Sequence, residues 1–89
     1  MLFRLYVGSN NATHKLESKK AINVVSKSFQ GFTTSTASGY WQGKAEKSLV
    51  IEIETEDSEL IKSVSKELCK ELSQDAVGVA QIGKMEFIS

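Results

Sequence analysis

The sequence predicts an α+β domain in the order β-α-β-β-α-β, and three observations predict it. Two segments, Leu2 to Val7 and Glu46 to Thr55, alternate apolar and polar side chains with a period of two, the signature of strands. Two others, near residues 17–29 and 58–73, carry apolar residues at spacings of three and four, the signature of amphipathic helices. The connections between them are short, with no linker, repeat or low-complexity run to divide the chain. A single domain over residues 1–89 is expected.

Each element has a local cause. In the first strand Phe3, Leu5 and Val7 share one face, and Leu2, Arg4 and Tyr6 share the other. Gly8-Ser9-Asn10-Asn11 then favours a turn. The first helix is predicted over Glu17 to Phe29, with Leu16, Ala21, Ile22, Val25 and Phe29 on its apolar side. Lys15, Lys19, Lys20 and Lys27 lie on its wet side, and Gly31 is placed to end it. Phe32 to Trp41 is rich in β-branched Thr and has no helical stripe, so it reads as a strand. Gln42 to Ala45 is predicted as a hairpin loop, followed by a strand in which Leu49, Ile51 and Ile53 alternate with Val50, Glu52 and Glu54. Asp57 or Ser58 caps the second helix, whose stripe is Leu60, Ile61, Val64, Leu68 and Leu72. Ala76 to Ile82 forms the last strand, with a bend at Gly83-Lys84 before Met85 to Ile88. This order is that of a ferredoxin-like fold, an antiparallel sheet with two helices on one face.

Composition narrows the classes of function. Eleven basic residues balance eleven acidic ones, so no global field draws the chain to nucleic acid or to an anionic membrane. The single cysteine, Cys69, excludes an internal disulfide and points to a reducing compartment. Met1-Leu2-Phe3-Arg4 opens no leader of signal type, and no apolar run approaches a membrane span. The expected location is the cytoplasm, that of the host cell for a viral protein. A chain this small buries a modest core, so a homo-oligomer, dimer or tetramer, is expected.

Site chemistry is sparse. His14 and Cys69 are the only soft metal ligands, and they stand in different elements without ligand spacing; no metal and no cofactor are expected. Cys69, beside Leu68, reads as a packed thiol, and His14 as a loop histidine. Phosphate-loop patterns are absent. The most unusual segment is Gly39-Tyr40-Trp41-Gln42-Gly43-Lys44, which groups two aromatics with an amide and a cation just before Glu46. Aromatic planes beside donors and a cation suit a flat, anionic ligand. Arg4 and Tyr6 lie on the face of the first strand away from the core stripe and can neighbour Ser48 and Val50. The plainer reading of these aromatics is packing between subunits. An RNA-binding sheet is disfavoured by Glu52 and Glu54, which repel a phosphate backbone.

Several local motifs in order, Leu5-Tyr6-Val7-Gly8, Phe29-Gln30-Gly31-Phe32-Thr33, Gly39-Tyr40-Trp41-Gln42-Gly43, Glu46-Lys47-Ser48 and Gln74-Asp75-Ala76-Val77, resemble a family of small bacterial domains of unknown function. The chain departs from that family in having no proline. The resemblance implies a fold and no activity. In size and style the chain is also similar to phage anti-CBASS sponges, which sequester cyclic dinucleotides such as cyclic GMP–AMP without cleaving them. The expected function is therefore an immune-evasion protein of a phage that binds a cyclic nucleotide and is not an enzyme. Tyr40 or Trp41 stacks the base, Arg4 or Lys44 meets phosphate, and Asn10, Asn11 and Gln42 bond edges or ribose, with Tyr6 and Glu46 alongside. The alternatives are an antagonist that covers a host enzyme, or a ferredoxin-like domain with no ligand. A hydrolase or isomerase built on Glu46 and His14 lacks a nucleophile, a metal or an oxyanion site.

Overall fold

A computed structural model describes residues 1–10, 13, 15–74 and 76–83, with Trp41 described in its backbone only. The order is β1 (Leu2–Val7), α1 (Ser18–Ser26), β2 (Thr33–Trp41), β3 (Lys44–Glu54), α2 (Ser58–Glu71) and β4 (Gly78–Gly83). The strands form one antiparallel sheet in the order β2-β3-β1-β4, as the sequence predicts for a ferredoxin-like arrangement. Register places Phe3 opposite Ile53, Leu5 opposite Ile51 and Val7 opposite Leu49, so the alternating apolar sets of the two central strands share a face. Those six side chains are buried together with Ala21, Val24 and Val25 of α1 and Ile61, Val64 and Leu68 of α2. Burying each Leu, Ile or Val contributes about 1.5–3 kcal/mol, which is why the stripes decide the fold.

The helices are bounded by identifiable groups. At the start of α2 the Asp57 carboxylate accepts from the Leu60 amide at 2.9 Å, which selects Asp57 from the two predicted caps. Its other end closes on Ser73, a non-glycine residue at φ 52°, with the Gln74 amide donating to the Cys69 carbonyl at 2.9 Å. α1 is shorter than predicted. Its last turn tightens, with the Lys27 amide donating to Val24 and the Ser28 and Phe29 amides to Val25. Gly31 stays outside the helix end and does not take a left-handed conformation, so it is not the predicted cap. Val24 replaces Ile22 in the buried set, Ile22 being half-buried.

The β2–β3 connection is tighter than predicted. Gln42 (φ 50°) and Gly43 (φ 77°) alone form the turn, both left-handed, as a type I′ hairpin requires. The last strand begins later than predicted, at Gly78, and the second segment expected at Met85 to Ile88 lies outside the described residues. β1 pairs with β3 only over Leu49 to Glu54, so Lys44 to Ser48 pair with β2 alone. The hairpin thus projects beyond the sheet as a two-stranded arm. No described helix is long and apolar enough to cross a membrane.

Candidate functional site

Chain topology gathers four segments at one end of the sheet: the exit of β1, the approach to α1, the start of β3 and the exit of α2. Between them lies an open cleft of about 870 Å³, lined by Gly8, Ser9, Asn10, Lys15, Leu16, Lys44, Ala45, Glu46, Lys47 and Gln74. The volume falls in the range of small-molecule sites. Three lysines and one carboxylate, Glu46, are among its lining residues; Lys47 shares the face of the arm that carries Tyr40 and Ala45, while Lys44 and Glu46 alternate onto the other face. An anionic group is therefore favoured beside Lys15 and Lys47.

The floor is built by hydrogen bonds rather than by apolar packing. The Gln74 side-chain amide donates to the Ser9 carbonyl and ties the end of α2 to the end of β1. Gly8 permits this approach, since a Cβ there would stand 3.1 Å from the Gln74 Oε1. The Ser9 hydroxyl donates to the Lys47 carbonyl at 3.2 Å, joining this floor to the arm. Asn10 is buried, and its side chain works inside the loop. Its Nδ2 donates to Glu17, its Oδ1 accepts from the Thr13 amide at 3.2 Å, and its own amide donates to the Lys15 carbonyl at 2.8 Å.

Three of the residues singled out from sequence, Asn10, Lys44 and Glu46, line this cleft. Tyr40 stands next to it. It pairs with Ala45, shares by alternation the face that carries Ala45 and Lys47, and is 75% exposed. Gln42 is exposed in the turn at the arm's tip. Asn11, His14 and the Trp41 side chain lie outside the described residues.

Arg4 and Tyr6 belong elsewhere. They lie on the sheet face opposite the helices, where Arg4 Nε and Nη2 donate to Glu52 Oε2 at 3.1 and 2.8 Å. Tyr6, then Glu52, hold the guanidinium above its ordinary range, so Arg4 stays charged and engaged. The same register sets Tyr6 opposite Val50, as expected. Sequence reasoning missed Gly8, Ser9, Lys15, Leu16, Lys47 and Gln74 as cleft residues. Gly8 and Ser9 read only as turn formers and Lys15 as part of a solvated face. Among the described residues no cluster of three or more metal-ligating side chains occurs.

No family model and no curated protein matches the chain. Among solved structures it is similar to a phage SAM lyase in its apo state, with 22% identity and a TM-score of 0.56 over 88% of this chain and 75% of that one. This likeness bears out the fold. It also corrects the functional expectation. The expectation of a cyclic-nucleotide sponge without catalysis is contradicted: a solved protein sharing this arrangement is a lyase. From the sequence, an enzyme is not expected for want of a nucleophile, a metal or an oxyanion site. That criterion fails for reactions in which the protein supplies none of the reacting groups.

Proposed function

We propose that the chain is a phage enzyme that binds S-adenosylmethionine in the cleft between the arm and the exit of β1 and breaks a C–S bond of its sulfonium without adding water. The observation that carries the reading is the fold match to a SAM lyase over most of the chain, joined to a cleft whose charges suit this zwitterion. The substrate has an α-carboxylate, an α-ammonium, a sulfonium and an adenosine. Lys15 and Lys47 offer cations to the carboxylate, and Glu46, the one carboxylate among the lining residues, is assigned to the ammonium. Tyr40, exposed on the cleft side of the arm, offers a face on which adenine stacks.

Such chemistry needs little from the protein beyond placement. Sulfur in a sulfonium already leaves as a neutral thioether, so no acid is required. The electron pair of the broken C–S bond passes to sulfur, and the carbon takes its replacement pair from within the substrate. Charge on sulfur disappears along the reaction, so surroundings that solvate the cation poorly favour the transition state over the bound substrate. Leu16 and Ala45 supply such surroundings. Gln74, Ser9 and Asn10 act as positioning residues, because their polar groups hold the loop and the arm in place.

The site is tested by titrating S-adenosylmethionine into nitrogen-labelled protein and following backbone amide shifts. The expected perturbations fall on Gly8, Ser9, Lys15, Ala45, Lys47 and Gln74. Shifts confined to Arg4, Tyr6, Val50 and Glu52 on the open sheet face would reject the cleft as the site.

A further inference from the structure

The two edges of the sheet are guarded very differently. Natural edge strands are protected from pairing by shortness, bulges, proline or charge. β4 has one of them, since its register with β1 breaks between Leu2 and Phe3. β2 has none of them. It runs nine residues in unbroken register with β3, without proline and without a charged residue from Thr33 to Trp41. Thr36, Ala37 and Ser38 at its middle are exposed.

The turn determines which backbone groups face outward. In a two-residue hairpin the residues flanking the turn, here Trp41 and Lys44, exchange both of their hydrogen bonds. Counting back in steps of two, Gly39, Ala37, Ser35 and Thr33 bond to β3. The amides and carbonyls of Thr34, Thr36, Ser38 and Tyr40 therefore point away from the sheet.

We propose that this outer edge is the docking strand for a second copy of the chain, paired antiparallel about a two-fold axis at Ala37. In that register Thr36 lies opposite Ser38 and Thr34 opposite Tyr40, and the outward groups of the two strands exchange about eight backbone hydrogen bonds. The strand is self-complementary there. No charge is set against another, the hydroxyl residues at the centre face one another, and the aromatic end of one strand meets the threonine end of the other. Ala37 faces its own copy as a non-bonded pair, with Cα atoms about 4.5 Å apart. Among the described residues β2 is the one edge without such a guard, so a two-fold pairing there closes the assembly at two. The self-association expected from the chain's small core thus has a specific surface, independent of the reaction proposed for the cleft.

The test uses charge at the axis. Wild-type chain in sedimentation equilibrium at micromolar concentration is expected at twice its 9.8 kDa mass. Ala37→Lys and Ala37→Glu each place like charges face to face and are expected at the single-chain mass. An equimolar mixture of the two restores the doubled mass. Far-ultraviolet circular dichroism confirms that each variant is folded. Backbone hydrogen exchange supplies a second readout: Thr34, Thr36, Ser38 and Tyr40 amides are protected in the wild type and lose protection in Ala37→Lys, while those of Ser35 and Ala37 remain protected. The proposal is overturned by a wild-type monomer, by a trimer, by an oligomer insensitive to either charge, or by a mixture that stays monomeric. A monomer that instead pairs this edge with an extended segment of another protein also overturns it.

Discussion

Replacing Ser73 with glycine should stabilise the protein, although it deletes a side chain. Ser73 occupies the left-handed position that ends α2, at φ 52°. There the Gln74 amide closes on the Cys69 carbonyl at 2.9 Å and the Leu72 amide on Leu68 at 3.0 Å. A left-handed conformation costs a residue with a Cβ about 1–2 kcal/mol. Glycine removes that cost and returns about 0.5–1 kcal/mol through the greater freedom of its unfolded chain. The net expectation is a gain of about 0.5–1 kcal/mol. For a domain of this size that is a rise in Tm of about 2–8 °C. The assay is reversible thermal or urea unfolding followed by circular dichroism, with Ser73→Ala and Ser73→Val as controls. Alanine should be near neutral, and valine, whose branched Cβ is disfavoured at positive φ, should destabilise. A Ser73→Gly variant no more stable than wild type would refute the reasoning and leave the helix end without its conformational account.

Leu68→Ala, which empties a fully buried position on the inner face of α2, should cost about 2–5 kcal/mol in urea unfolding, and Leu60→Ala, at a half-buried position, clearly less. Equal losses would mean that the helix faces are misassigned. Asp57→Ala removes the acceptor of the Leu60 amide and should cost about 1 kcal/mol, with Asp57→Asn recovering most of it; an alanine variant of unchanged midpoint would deny the cap. Within the cleft, Glu46→Gln should weaken capture of S-adenosylmethionine about tenfold in calorimetric titration, the loss of one charge-assisted contact of about 1.5 kcal/mol. Unchanged affinity would remove Glu46 from the site.

Much of the fold was legible because burial imposes simple periods. Leu49, Ile51 and Ile53 could alternate only on a strand with one covered face, and Ile61, Val64, Leu68 and Leu72 could share a face only on a helix. Errors fell at boundaries, where hydrogen-bond geometry decides instead of apolar spacing. Gly31 looked like a helix end but lies past one, while Ser73, with no glycine to mark it, is one. The candidate site was legible only in part. Lys44 and Glu46 stood out beside the aromatics of the arm, but Gly8, Lys15 and Gln74 join them only after the sheet has brought its ends together. Arg4 looked available for phosphate because its cross-strand partner, Glu52, is set by a register that composition does not reveal. The functional expectation rested on the absence of nucleophile and metal motifs, which does not exclude an enzyme: a sulfonium carries its own leaving group, so the reaction proposed for the cleft needs neither.

The central claim is catalytic, and product analysis tests it most directly. Purified chain is incubated with S-adenosylmethionine in isotopically labelled water, and the mixture is followed by mass spectrometry from the earliest time points. The account predicts that S-adenosylmethionine disappears in proportion to enzyme and time, yielding a thioether and a second fragment whose masses sum to that of the substrate, neither carrying label. Substrate recovered intact after many equivalents of time and protein, or products that carry oxygen from the water, would contradict it.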